Sequence, residues 1–427
     1  MNTKFKITIK RRSFQENMVL LFAFLPFSFG LLHDMSDALY AVRYLMDIIW
    51  VLMMVVMVCY GRYARKQHLS KLVLWVVAFL LITLSAFVVQ YQSVLYYLWG
   101  VRNNFRFYVA FFAIAIYLQR DDVEKVWKGF DILFWISVAL AVVQFFALGL
   151  KQDYLGGIFG TKSGVNGAAN VFFLIVIVKS IVFCIERKEK IWLCLLKCVA
   201  ALLIAALAEM KFFFVEVIVV IGLALLITNF SWRKLYLVIG VLCAILLGAV
   251  VLSTVFSNWD EWLSIGWFLE TATSKLGYTG RGDVNRLNAI SRVNELWLKE
   301  WTQRILGMGM GNCDTASYAI LNTPFFQQYG DMHYTWFSYA ITYLENGYVG
   351  LIFYFGFFVL VYCGILRIEK KSESMTQTYC RIGRIMAIMC MIISIYNNSL
   401  RTETGYMSYF VLAVPFALNN YEGSRDV

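Results

Sequence analysis

The sequence predicts an all-α polytopic integral membrane protein with about twelve transmembrane helices and one large extracytoplasmic loop carrying amphipathic helices. Composition is the first ground. Of 427 residues, 60% are hydrophobic and only 15% charged, whereas soluble domains carry about 25% charged residues. The second ground is a series of apolar runs near 17–33, 38–60, 72–90, 104–118, 129–150, 168–185, 191–208, 212–228, 235–255, 347–366, 382–399 and 404–419. Each approaches the length of about 20 residues that a spanning helix needs. The third is the placement of Lys and Arg. The amino-terminal KRR group, Arg62/Arg65/Lys66/Lys71, Arg120/Lys125/Lys128, Arg187/Lys188/Lys190, Arg233/Lys234 and Arg367/Lys370/Lys371/Arg381/Arg384 all fall on one side when the runs are threaded in turn. Positive loops stay in the cytoplasm, so that side is cytoplasmic and holds both termini. One missed span would move every later basic loop to the wrong face.

The first run, Met18 to Leu32, follows a basic stretch as a signal sequence would. No small-x-small cleavage site comes after it, so it reads as the first span. The chain is then one integral domain, 1–427, with a loop over 256–346 between the ninth and tenth spans. Of nine cysteines, Cys313 alone is placed outside the cytoplasm, and no disulfide framework or zinc spacing is present. The net charge of +11 is scattered over short loops without a basic stripe among exposed aromatics, which excludes nucleic acid as the natural partner. The two halves show no internal repeat, which counts against an inverted-repeat transporter. Asp47, Lys179, Lys197 and Glu216 are the notable ionisable residues within spans, and three of them lie close enough to an end to snorkel.

Basic residues on the opposite face need their own reason. A long loop translocates regardless of charge, which accounts for Arg281, Arg286, Arg292 and Arg304 but not for Arg102, Arg106, Lys211 or Arg401. Binding a phosphate is a reason to accept their cost. Within the loop, NRLNAISRVNELWLKEW spaces Leu287, Ile290, Val293, Trp297 and Trp301 as one amphipathic helix on the outer membrane face, with Arg286 in its first turn. Gly307, Gly309 and Gly311 then permit turns that residues with a Cβ resist.

Several residues have two open readings. His333 is either a general base for a hydroxyl or a helix-capping residue, and Asp331, two residues earlier, is the nearest carboxylate to orient it. Arg281 and Arg286 clamp a pyrophosphate or bind lipid headgroups. Glu216 needs a partner within its span, and Lys211 or Arg401 lining a polar cavity would supply one. Arg401 is a cavity cation or an interfacial anchor. Glu345, where the loop re-enters the membrane, caps locally or lines the site. Asn166 and Asn170 cap the sixth span or bind sugar. Trp297, Trp301, Trp336 and Tyr334 stack on sugar rings or form an interfacial belt.

The order NRLNAISRVNELW, LGMGMGN, HYTWFSYAITYLENGYVGL on the outer face resembles the Wzy-type polysaccharide polymerases, which make O-antigen and capsular polysaccharide and are related to the O-antigen ligases. The resemblance covers roughly 270–355 closely and the rest as topology. It implies a membrane glycosyltransferase of the bacterial cytoplasmic (inner) membrane. Such an enzyme joins undecaprenyl-pyrophosphate-linked oligosaccharide repeat units of lipopolysaccharide or capsule on the outer face. Arg286 and His333 match the family's loop arginine and loop histidine, Glu345 and Gly347 its re-entry, and Asn170 its asparagine at a middle span. Lys211 in AEMKFFF stands where the family has an arginine, keeping the charge and losing the fork. Tyr334 follows His333 where the family has Asn. The implied catalytic residues are therefore His333, Arg286 and Lys211, with Arg281, Arg401, Glu345, Asn170 and Glu216 binding substrate, and neither metal nor other cofactor is called for. Membrane lipids and, as an optional partner, a chain-length regulator protein complete the implied contacts. Alternatives are an O-antigen ligase transferring glycan to lipid A core, a flippase or transporter of lipid-linked sugars, and a non-catalytic assembly protein.

Overall fold

A computed structural model describes residues 14–60, 67–90, 92–228, 232–255, 266, 270, 273–274, 276–277, 279–316 and 318–422. The amino-terminal KRR group, the turn with Arg62, Arg65 and Lys66, and most of 256–272 lie outside the described residues. Among the described residues there are helices and no strands, as lipid requires of a chain that must satisfy its backbone internally. The first half holds α1 (Phe14–Phe24), α2 (Pro26–Met35), α3 (Asp37–Tyr40), α4 (Leu45–Tyr60), α5 (Gln67–Val89), α6 (Val94–Tyr117), α7 (Arg120–Phe146) and α8 (Val165–Ile185). Then come α9 (Ile191–Leu207), α10 (Lys211–Ile227), α11 (Trp232–Val255), α12 (Ala289–Leu296), α13 (Trp301–Leu306), α14 (Pro324–Tyr329), α15 (Ser338–Glu369), α16 (Ser374–Tyr396) and α17 (Gly405–Glu422).

Each predicted apolar run falls mainly on helix, although 17–33 is divided between α1 and α2, 38–60 runs from α3 through a 3-10 turn into α4, and 129–150 and 382–399 extend past the ends of α7 and α16. Among the described residues, seven helices are long and apolar enough to cross a membrane, or eight if α1 and α2, bent by 58° at the break before Pro26, count as one span. The described residues are thus all-helical, with enough long apolar helices for a polytopic membrane protein. α8 is the hub, since 89% of its apolar window is buried, against 22–28% for α4, α5, α7 and α11. Those outer helices turn residues such as Ile48, Leu74, Ile132 and Leu246 outward, as lipid-facing helices do. α15 packs on α16, α17 on α6, and α9 on α11.

The segments expected on one face meet at one end of the bundle. Asp34 accepts from the backbone N–H and hydroxyl of Thr161 at 3.0 Å. Asn166 donates to Asp153 at 2.9 Å, Gln90 and Gln92 donate to the carbonyls of Gly307 and Met310, and Arg106 pairs with Glu403. At the other end, Arg381 bridges Glu186 and Glu369, and Arg120 faces Glu373. Lys179 and Lys197 do not snorkel. Both are buried and hold Asp131 at 2.6 and 2.7 Å, and Lys197 also holds Glu189 at 2.9 Å. Opposite charges inside the bundle meet the desolvation cost that reaching water would otherwise avoid.

The loop departs from the single amphipathic helix expected of it. α12 ends at Leu296, and Glu300 with Gln303 forms a capping box that starts α13 afresh. Arg286 therefore precedes the helix instead of standing in its first turn. Gly307, Gly309 and Gly311 have φ of 71°, 94° and 80°. α15 breaks at Gly347 (φ 61°, ψ −160°), and a Cβ there would lie 2.3 Å from the Ile305 carbonyl oxygen of α13.

Candidate active site

A cleft at the loop end of the bundle is lined by Phe212, Arg286, Leu287, Ile392, Ile395 and Tyr396. Three distant segments build it. α16 ends at Tyr396, where Ser338 ties down the next carbonyl by donating its N–H and hydroxyl to Asn397 at 3.1 Å. The Tyr396 ring stacks on Phe212, with centroids 4.0 Å apart and planes at 11°. Arg286 lies over the same ring, its Cζ 4.4 Å from the centroid, and its Nε donates to the Tyr396 carbonyl at 3.3 Å. The Tyr339 hydroxyl donates to the Arg286 carbonyl. The loop arginine and the turn that carries Lys211, one residue before Phe212, thus meet through Tyr396. Lys211 pairs with Glu209 at 3.1 Å. Glu209 is held at φ 55°, a left-handed conformation that costs a non-glycine residue energy and is often found at functional sites.

Three residues before Arg286, Asp283 approaches His333, with Oδ2 and Nδ1 3.0 Å apart. From the sequence, Asp331 either orients the ring or is simply solvated. Asp331 is exposed, and the ring turns to Asp283 because the Val284 N–H donates to the Met332 carbonyl at 2.9 Å and lays the two segments side by side. His333 also has a left-handed φ of 58°, and its ring centroid lies 3.9 Å from that of Trp336. Of the aromatics considered for sugar stacking, Trp336 and Trp301 are exposed. Tyr334 is fully buried and donates its hydroxyl to the Cys313 carbonyl at 2.7 Å, and Trp297 packs against Phe325, Tyr329 and Tyr334.

Arg401 and Glu345 form a separate, buried cluster. Arg401 donates to Asn104 at 3.2 Å and Asp314 at 3.0 Å, and comes within 3.8 Å of Glu345. Glu345 accepts from the Cys313 N–H at 3.3 Å and is 0% exposed, so it is not a local cap. Burial first, then Glu345 and Asp314, push the Cys313 thiol well above its ordinary range. Nearby, Arg106 donates to Glu403 at 3.3 Å and to the Arg401 carbonyl at 2.9 Å. Burial raises the Glu403 carboxyl, but Arg106, Arg43 and Arg102 outweigh it and hold the group below its ordinary value. The cations that the sequence assigns to the outer face thus have carboxylates of the chain itself as partners: Arg102 with Asp47, Arg106 with Glu403, Lys211 with Glu209 and Arg401 with Asp314. Phosphate is not needed to explain their presence.

Glu216 finds neither Lys211 nor Arg401. Its partner is Asn170, which donates to it at 2.9 Å between α8 and α10. Asn170 is consequently inside α8, whose N-cap is Gly164, and does not cap it. Glu216 lies one turn below Phe212 in α10, beneath the cleft wall. Arg281 is exposed in the loop, outside the cleft lining. The residues brought together in the cleft are therefore Arg286, Tyr396 and Phe212, with Lys211 next to Phe212 in sequence, while the Asp283–His333 pair stands beside the loop segment that carries Arg286 and, like Lys211, outside the cleft lining. Sequence reading missed Tyr396, which looks like the last apolar residue of a span. It also missed Asp283, whose only signal is a carboxylate flanked by Arg281 and Arg286 in GRGDVNR. Compared with family models and with curated proteins, the chain matches none.

Proposed function

We propose that the protein is a polysaccharide polymerase, a membrane glycosyltransferase that joins undecaprenyl-pyrophosphate-linked oligosaccharide repeat units on the outer face of the bacterial cytoplasmic membrane. It crosses that membrane about twelve times, with both termini inside. The observation that carries this reading is the cleft, whose apolar walls meet the Arg286 guanidinium at Tyr396. An isoprenoid diphosphate has this duality of a hydrocarbon chain and a charged head. The loop sequence that resembles the polymerases is the one that supplies Arg286 and His333.

In the reaction, His333 takes the proton of the acceptor hydroxyl as its oxygen forms a bond to the anomeric carbon. The bond from that carbon to the pyrophosphate oxygen breaks, and its electron pair leaves with the pyrophosphate. Arg286 and Lys211 stabilise that leaving charge, where fixed cations contribute most, and Arg281 attracts the head group from the loop surface. Glu345 and Arg401 support the loop from within, and Asn170 with Glu216 supports α10 beneath Phe212.

The test is complementation of a deletion strain with wild type and His333→Ala at matched membrane abundance, resolving surface glycan and lipid-linked intermediates by gel. A polymerase gives a ladder with wild type and single repeat units with the variant. Polymer that stays on its carrier in the deletion strain, never reaching lipid A core, identifies a ligase instead. A variant equal to wild type removes His333 from the chemistry.

A further inference from the structure

We propose that Asp283 is the positioning residue of His333, fixing the proton on Nδ1 so that Nε2 carries the lone pair that receives the acceptor proton; this rests on the reading of His333 as the base. The carboxylate is built in. Its side chain is 1% exposed, whereas His333 keeps 22% of its own side chain accessible. Asp283 Oδ1 accepts from the Thr279 N–H at 3.0 Å and the Thr279 hydroxyl at 3.1 Å, while Oδ2 meets the ring at 3.0 Å and shares the Thr279 N–H at the longer distance of 3.3 Å. A Cβ on Gly277 (φ 78°) would lie 2.2 Å from Oδ1, so the turn closes around the carboxylate only with glycine there. From behind, Arg292 clamps the same turn by donating Nε and a terminal nitrogen to the Gly282 carbonyl at 3.0 and 2.7 Å.

An ionised carboxylate only accepts hydrogen bonds, so Nδ1 must donate. The neutral ring then has its lone pair on Nε2. When Nε2 takes the acceptor proton, the imidazolium forms beside an aspartate held at hydrogen-bond distance. This is the work an orienting carboxylate does for a general base. A contact that merely stapled the loop would fix the same tautomer, but the rate of transfer would not depend on it.

Asp283→Asn separates the two roles. The Thr279 donors keep the amide oxygen at the Oδ1 position, so the amide NH2 faces His333. The ring must then accept at Nδ1 and carry its proton on Nε2, which is useless as a base. The experiment uses the full chain in lipid nanodiscs with 15N-labelled histidine. There are three histidines in all, and His333→Gln assigns the signal. At pH 8 the wild type should show Nδ1 protonated and Asp283→Asn should show Nε2 protonated. Polymer formation from lipid-linked repeat units should fall roughly 10²–10⁴-fold in kcat, the usual contribution of a general base. KM should stay within about twofold. Asp283→Glu, which keeps the acceptor, should recover part of the rate, and Thr279→Val should give a graded loss in an otherwise folded protein.

A wild-type ring protonated on Nε2 overturns the proposal whatever the activity, as does an Asp283→Asn protein with unchanged kcat. If Asp283→Glu and Asp283→Asn lose rate equally with no change of tautomer, the contact is only a staple and the proposal fails. A wild type that shows the expected tautomer but makes no polymer refutes the polymerase reading alone.

Discussion

Replacing Arg286 with alanine removes the charged member of the cleft lining and the cation stacked on Tyr396. One bidentate contact of this guanidinium with a pyrophosphate comprises two charge-assisted hydrogen bonds, each contributing about 1.5–3 kcal/mol. The combined loss of about 3–6 kcal/mol corresponds to roughly 10²–10⁴-fold in kcat/KM at about 1.4 kcal/mol per tenfold. Arg286→Lys keeps the charge but loses the fork and the flat stack on Tyr396, so its loss should be intermediate, on the order of tenfold to a hundredfold. Tyr396 provides the internal control. Tyr396→Phe keeps both the ring and the carbonyl that accepts from Arg286 Nε and should stay within about twofold of wild type. Tyr396→Ala removes the platform that sets the guanidinium against Phe212, and should cost roughly tenfold through misplacement. The assay is polymer formation in membranes from a defined lipid-linked repeat unit, at low and high salt. Donor binding should weaken with ionic strength in the wild type and lose much of that dependence in Arg286→Ala. An Arg286→Ala enzyme at wild-type rate, or a Tyr396→Ala loss exceeding that of Arg286→Ala, would refute the assignment of phosphate binding to this cleft.

Asp314→Ala should destabilise the fold by about 3–5 kcal/mol, because it strands the buried Arg401 guanidinium; a melting temperature unchanged in nanodiscs would show the pair to be dispensable. Glu403 has a depressed carboxyl pKa, so its contribution to stability is fully present above the ordinary carboxylate value and is lost as pH falls through the lower folded value. Melting temperature measured down an acid series should show this loss, and Glu403→Gln should flatten it. Cys313 is fully buried with its thiol pushed up, so it should resist alkylation at pH 7 until the protein is unfolded, whereas labelling of the native protein would mean that the loop opens.

Much of this protein follows from local chemistry and was legible without coordinates. Apolar length alone locates the helices, because a span is specified by consecutive residues and its backbone bonds are internal. Gly347, which only the family resemblance singles out, is where α15 breaks. Lys211 stands out as a basic residue in a short turn on the face where positive charge is not expected, and Arg286 through the loop motif that carries it; Arg286 lines the cleft, and Lys211 adjoins Phe212 in its wall. What the tertiary structure decided are the partners. His333 and Asp283 are 50 residues apart and Arg286 and Tyr396 are 110 apart. No periodicity links such pairs, and from the sequence only Asp331, near in the chain, could be offered as a partner for His333. Likewise, an isolated Arg102, Arg106 or Arg401 reads as a phosphate ligand until the fold supplies Asp47, Glu403 and Asp314. Burial makes a charge seek a counter-charge wherever the packing brings one within reach, and reach is a property of the folded chain.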